Sequence, residues 1–205
     1  MRHVHSGTRI AAWAAFAAAA LVLSACNPVE KESDALSRLL VESITGKTAE
    51  GAEANFLQSD VLYQNPNTGV STIHADTASV LLSARQLDPN PILGPSAFAD
   101  ITVTRYTVTY FRSDGKNVPG VDVPYGFDGS VTVRVAVGIP TQLNFVIVRE
   151  TAKQEPPLLN ILQAGTRAEM LAVTAKVEFY GYDGSDKKVK ATGYLPIYFA
   201  NYANE

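Results

Sequence analysis

The 205-residue chain is poor in the side chains on which most enzyme centres and disulfide scaffolds are built: one cysteine, one tryptophan and three histidines. A single thiol excludes an intrachain disulfide framework. His3 and His5 stand within the first five residues and Trp13 close behind, which leaves His74 as the only histidine of the remaining chain. Triads, Cys–His dyads and sites needing two histidines are therefore absent from most of its length. No apolar run reaches the ~20 residues that a stable membrane-crossing helix needs. No glycine-rich phosphate loop and no nucleophile elbow appears either, and no cofactor or resident metal is expected.

What is present begins with the first twenty-five residues. Arg2 and Arg9 stand without an acid before the uncharged stretch from Ile10 to Leu23, the basic and apolar segments of an export signal. The flank Leu23-Ser24-Ala25-Cys26 resembles the lipobox of bacterial lipoproteins. The resemblance implies cleavage before Cys26, acylation of that cysteine and anchoring to a membrane. Asn27 in place of aspartate implies outer-membrane delivery in a Gram-negative host. Residues 1–25 are thus read as a signal peptide, 26–37 as a lipidated flexible tether and 38–205 as one domain. Cleavage would leave fifteen basic against twenty acidic residues, a formal charge of −5, which argues against a nucleic-acid partner.

Period-two alternation dominates the rest. Val131, Val133, Val135 and Val137 alternate with Thr132, Arg134 and Ala136; Leu143, Phe145 and Ile147 do the same; so do Leu171, Val173, Ala175, Val177 and Phe179. Each pattern marks a strand with one buried face. Segments 61–64, 79–87, 101–111 and 194–199 add further strands. Leu36, Leu39, Leu40 and Ile44 have helical spacing, but the segment is also of strand length and is assigned to a strand. Asp114-Gly115 and Asp183-Gly184 follow aromatic-ending runs and predict hairpin turns, and Asp128-Gly129 directly precedes the valine strand. Strong helical patterns are nearly absent.

Seven or eight short strands with such turns predict an all-β, two-sheet sandwich. The run from Ile101 through Tyr125, with Phe127-Asp128-Gly129 following, and the end of the chain from Val177 to Phe199 resemble uncharacterised bacterial lipoproteins with an immunoglobulin-like sandwich. That likeness covers most of the domain and implies fold and location; the family brings no established activity.

The most distinctive loop runs from Val118 to Gly129. Tyr125 and Phe127 could form a platform for an envelope protein or glycan, with Asp122 and Asp128 supplying polar contacts. Alternatively, both rings close the core and the aspartates cap turns. Asp114, Asp122, Asp128, Asp183 and Asp186 invite a calcium site, but nothing matches a dedicated loop, and ordinary turn use is expected. His74, two residues before Asp76, reads as an exposed loop histidine. Lys187, Lys188 and Lys190 read as a solvated hairpin within reach of anionic headgroups. The depleted catalytic inventory favours a non-catalytic binding or structural module. The competing expectation is a carboxylate-based envelope hydrolase, which requires two acids converging in one cleft at roughly 5–10 Å.

Overall fold

The computed structural model describes residues 35–65, 67–88, 96–164 and 170–202. The signal segment, Cys26 and the tether up to Asp34 lie outside the described residues. No helix among the described residues is long and apolar enough to cross a membrane.

Eleven strands, several of only two residues, form the architecture. A four-stranded antiparallel sheet has the order β2 (Glu53–Ala54), β1 (Ser37–Lys47), β6 (Asp76–Gln86), β9 (Thr141–Val148). A five-stranded sheet has the order β3 (Leu57–Asp60), β11 (Lys188–Ala200), β10 (Leu171–Asp183), β7 (Ile101–Phe111), β8 (Phe127–Val135), and only β3 and β11 run parallel. β4 (Tyr63–Gln64) and β5 (Ser71–Thr72) make a small separate ribbon. Two short helices, α1 (Glu150–Lys153) and α2 (Leu158–Ala164), follow β9. The chain is mostly β and folds as a sandwich, as expected.

The core follows from the alternation. Val173, Ala175, Val177 and Phe179 of β10 and Leu195, Ile197 and Phe199 of β11 point inward against Val80, Leu82, Phe145 and Ile147 of the other sheet. Tyr106, Phe145 and Phe179 pack at centroid separations of 5.1, 6.1 and 5.3 Å, a geometry worth about 0.5–1.5 kcal/mol per pair beyond buried area. Tyr110 Oη donates to the Ile147 carbonyl at 2.7 Å, a buried bridge from one sheet to the other. Burial pushes the Tyr110 hydroxyl up, beyond the ordinary tyrosine range.

Where the fold departs from the sequence pattern, a local cause is visible. In β1 the pairing with β6 shifts between Val41 and Ser43. This bulge moves the inward set from Ser37 and Leu39 to Ile44 and Gly46, so a strand carries spacing that looks helical. The domain also starts earlier than residue 38, because Ala35 and Ser37 are already buried. β8 begins at Phe127, so Asp128-Gly129 belongs to a strand rather than to a turn or loop. Gly129 is there because the Tyr106 ring lies on it: a Cβ would stand 2.2 Å from Tyr106 Cζ. Asp183-Gly184 does turn a tight hairpin, whereas β7 and β8 are separated by the long loop 112–126. The segment 61–64 holds only β4, with β3 just ahead of it, and β6 and β11 both begin earlier than expected.

Strand directions give the sandwich two distinct ends. At the near end, Ser37 pairs with Gln86, Ile101 with Asp183 and Val135, and the Leu36 amide donates to Asp183 Oδ2 at 2.7 Å. Here the chain enters the domain. At the far end, Lys47 pairs with Glu53 and Asp76 with Val148, while Leu171 pairs with Phe199.

Candidate functional site

The far end holds a charged cluster that three separate elements assemble. β9 runs into the single turn α1, whose residues Ala152 and Lys153 are buried. Lys153 has 1% of its surface exposed, and its four-carbon stem passes through the core before the ammonium meets oxygen. Nζ donates to the Asp60 carbonyl at the end of β3 (2.7 Å) and pairs with both Asp76 carboxylate oxygens at the start of β6 (3.0 and 3.1 Å). Ser59 Oγ donates to Asp76 Oδ2 at 2.6 Å. A buried ammonium persists only when partnered in this way. Burial pushes the Asp76 carboxyl above its ordinary value, while the Lys153 ammonium, the Ser59 hydroxyl and His74 pull it back.

The cluster floors an open cleft of about 240 Å³. One wall is the turn after β1, with Lys47, Thr48 and Gly51; the other is Tyr63 and His74. These rings stand 5.9 Å apart, and His74 Nε2 lies 2.7 Å from Thr72 Oγ1. Lys153 is enclosed between a carbonyl and a carboxylate, so it positions β3, β6 and α1 rather than offering a nucleophile. The groups left to meet a ligand are the Tyr63 and His74 rings, Gln58, Thr48 and Lys47.

The loop 112–126 occupies the same end. Asp122 Oδ2 accepts the Val118 amide at 3.1 Å, and Gly120, at φ +77°, closes the turn by donating to the Val123 carbonyl. The Tyr125 ring lies on Gly120, where a Cβ would come within 2.2 Å of Oη, and remains half-exposed beside exposed Val118 and Val121. Phe127 is half-buried, edge-on to Tyr106, with the Arg149 guanidinium 4.8 Å above its ring centroid. Asp128 is exposed on β8. The four residues singled out from sequence thus have different settings: Asp122 caps a turn, Phe127 packs, and Tyr125 is the ring that the loop presents.

The aspartates considered for calcium are divided between the two ends. Asp114 is paired with Arg112 (2.5 Å) and caps the Lys116 amide, contacts that lower its carboxyl below the ordinary range. Asp183 and Asp186 belong to the near-end hairpin. Among the described residues no three His, Cys, Asp or Glu side chains are grouped to hold a metal ion.

Sequence reasoning reached His74 and Asp76 but missed Lys153, Ser59 and Asp60. In Glu150-Thr151-Ala152-Lys153 nothing distinguishes this lysine from a solvated one. The one available signal was Pro157 before Leu158, Leu159, Ile161 and Leu162, a helix start that marks the region as more than a loop. In comparison with known proteins, no family model, curated protein or solved structure matches this chain.

Proposed function

We propose that this chain is an exported protein, acylated at Cys26 and held on the cell envelope, outermost in a Gram-negative host, where an immunoglobulin-like sandwich serves as a non-catalytic binding module. The immunoglobulin reading is supported by strand order. With β1, β6 and β9 as A, B and E, the strands β11, β10, β7 and β8 fall in the order G, F, C and C′. Tyr106 on the C-equivalent strand packs against Phe179 on the F-equivalent strand, a place where antibody domains keep tryptophan and disulfide.

One observation carries the binding role. The chain enters the sandwich at the near end, and the polar cleft and the Tyr125 loop both lie at the opposite end. A tethered domain built this way turns its most elaborate surface away from its anchor. Loops at sandwich ends are where this architecture recognises partners, and an envelope protein or glycan fits an aromatic and polar surface. The test compares retention of the mature protein on isolated envelope glycan and on solubilised envelope proteins with that of Tyr125→Ala and of Tyr63→Ala/His74→Ala. At least one variant is expected to bind about tenfold more weakly, a loss of about 1.4 kcal/mol, with its melting temperature unchanged. Equal retention of both variants would refute the far-end assignment. An unacylated mass at Cys26, judged against Cys26→Ser, would refute the anchor.

A carboxylate hydrolase is the second reading, because Asp60 and Asp76 line one cleft and burial raises Asp76, as a general acid requires. Against it, both Asp76 oxygens are engaged by Lys153 and Ser59. Turnover of envelope glycan that disappears in Asp60→Asn and Asp76→Asn would reverse this preference.

A further inference from the structure

The near end differs in kind from the far end: it exposes large apolar side chains on a rigid frame. Phe98 is 64% and Ile139 63% exposed, with Leu87 at 52% and Leu36 at 41%. Phe98 tops a 3-10 turn (Ala97–Ala99) that Ser96 caps and whose Ala99 is buried. Gly184 of the β10–β11 hairpin packs so closely beneath it that a Cβ would lie 2.6 Å from Phe98 Cα, and the Gly184 amide donates to the Phe98 carbonyl at 2.8 Å. Ile139 follows Gly138, whose amide is held by the Ala84 carbonyl, and the Leu87 amide donates to the Leu36 carbonyl. These residues surround the point at which the chain enters the domain.

Charge is divided in the same sense. The exposed near-end cations are Arg38, Arg85, Lys187 and Lys188, against Asp88 and Asp186 as exposed acids. Arg85 also reaches Glu42 at 3.6 Å, Asp100 is bound to Arg134 at 2.6 Å, and Asp183 is buried under three backbone amides. The far end instead carries Glu50, Glu53, Asp114, Asp122, Glu150 and Glu155 among its acids.

We infer that the near end is a membrane-seating surface, on which Phe98, Ile139, Leu87 and Leu36 enter the headgroup region of the bilayer while Lys187 and Lys188 face anionic lipid. This rests on the acylation of Cys26. Nine residue steps separate Cys26 from Ala35, a reach of at most about 30 Å. A thirteen-residue strand such as β11 spans about 44 Å. The tether is shorter than the sandwich is tall, so the end that receives it stays beside the lipid surface. An anionic leaflet attracts the basic near end and repels the acidic far end, and apolar rings beside basic side chains are the composition that interfacial binding uses.

The mature chain contains no tryptophan, so a single substitution installs a reporter. Acylated Phe98→Trp, Ile139→Trp and Val121→Trp proteins would be reconstituted into phosphatidylethanolamine/phosphatidylglycerol vesicles containing brominated lipid. Phe98→Trp and Ile139→Trp should lose about half of their emission and shift to the blue, and the far-end reporter Val121→Trp should be unaffected. Adding Lys187→Glu/Lys188→Glu should weaken the quenching. An acylated protein in which the near-end reporters are unquenched, or quenched no more than Val121→Trp, overturns the inference and leaves the anchor standing. An unacylated mass at Cys26 fails the anchor and takes this inference with it.

Discussion

Replacing Lys153 by methionine isolates the cluster at the floor of the cleft, because methionine preserves the buried stem and removes only the ammonium. Removing one member of a buried ion pair costs about 3–5 kcal/mol, since the other is left charged and under-solvated. Here Asp76 keeps the Ser59 hydroxyl, and its side chain retains 19% exposure. The expected loss is therefore about 2–4 kcal/mol at neutral pH, out of a total stability on the order of 5–15 kcal/mol. For a domain of this size the melting temperature should fall by about 5–15 °C. Urea unfolding followed by circular dichroism measures the loss, and its pH dependence tests the cause. A carboxyl raised in the folded state contributes stability below its unfolded value near 3.9, and that contribution disappears as pH rises through the folded value. Burial already raises Asp76 against the pull of Lys153, and methionine removes the largest opposing influence. The deficit should be greatest near pH 7 and shrink toward pH 4. Adding Asp76→Asn should recover part of it, with a coupling energy of about 0.5–3 kcal/mol. A loss below about 0.5 kcal/mol, or one that is independent of pH, would refute the reasoning.

Asp183→Asn tests the near end: its carboxylate accepts the amides of Leu36, Ser185 and Lys187 at 2.7, 2.9 and 2.9 Å, and the loss should be about 1–3 kcal/mol by urea unfolding. Burial pushes this carboxyl up, but the three amides outweigh it and lower the value overall, so its contribution is present above the unfolded pKa and lost as pH falls through the folded one. Wild type and variant should therefore converge in acid. Gly129→Ala should cost about 1–3 kcal/mol by forcing the Tyr106 ring off its seat; Tyr106→Leu should relieve most of that increment, measured as a thermodynamic cycle, and full additivity would show that the two do not touch.

The strands were legible wherever a single rule governed them. Val131 to Val135 and Val173 to Phe179 alternate because one face meets the core, and period two states this locally. Legibility failed where a distant residue set the local chemistry. Gly129 resembles a turn residue, but its lack of a side chain answers to Tyr106 on the neighbouring strand. Leu39, Leu40 and Ile44 resemble a helix face because a bulge against β6 changes the parity of inward positions. Gly193 is inward on β11 and bare because Ile44 and Val41 fill its place, a Cβ there standing 2.6 Å from Ile44 Cδ1. Lys153 is the extreme case, its partners lying 93 and 77 residues away.

The division of the domain into a polar far end and an apolar near end was hidden for a related reason. In a sandwich of mostly antiparallel strands the chain crosses from end to end with each long strand, so successive connections alternate between the ends. Leu36, then the cleft segments from Lys47 to Asp76, then Leu87 and Phe98, then the loop 112–126, then Ile139, then Lys153 follow one another in sequence. Read linearly, apolar and polar loops are simply mixed. Sorted by strand direction, the exposed Leu36, Leu87, Phe98 and Ile139 gather where the chain enters, and the cleft with the Tyr125 loop gathers at the other end. Segregation of this kind needs no contact between the two ends, because the antiparallel order alone places residues about fifty positions apart side by side. The asymmetry is thus a property of topology acting on composition, and for this reason strand count and direction, more than any motif, support a domain with one end for a membrane and the other for a partner.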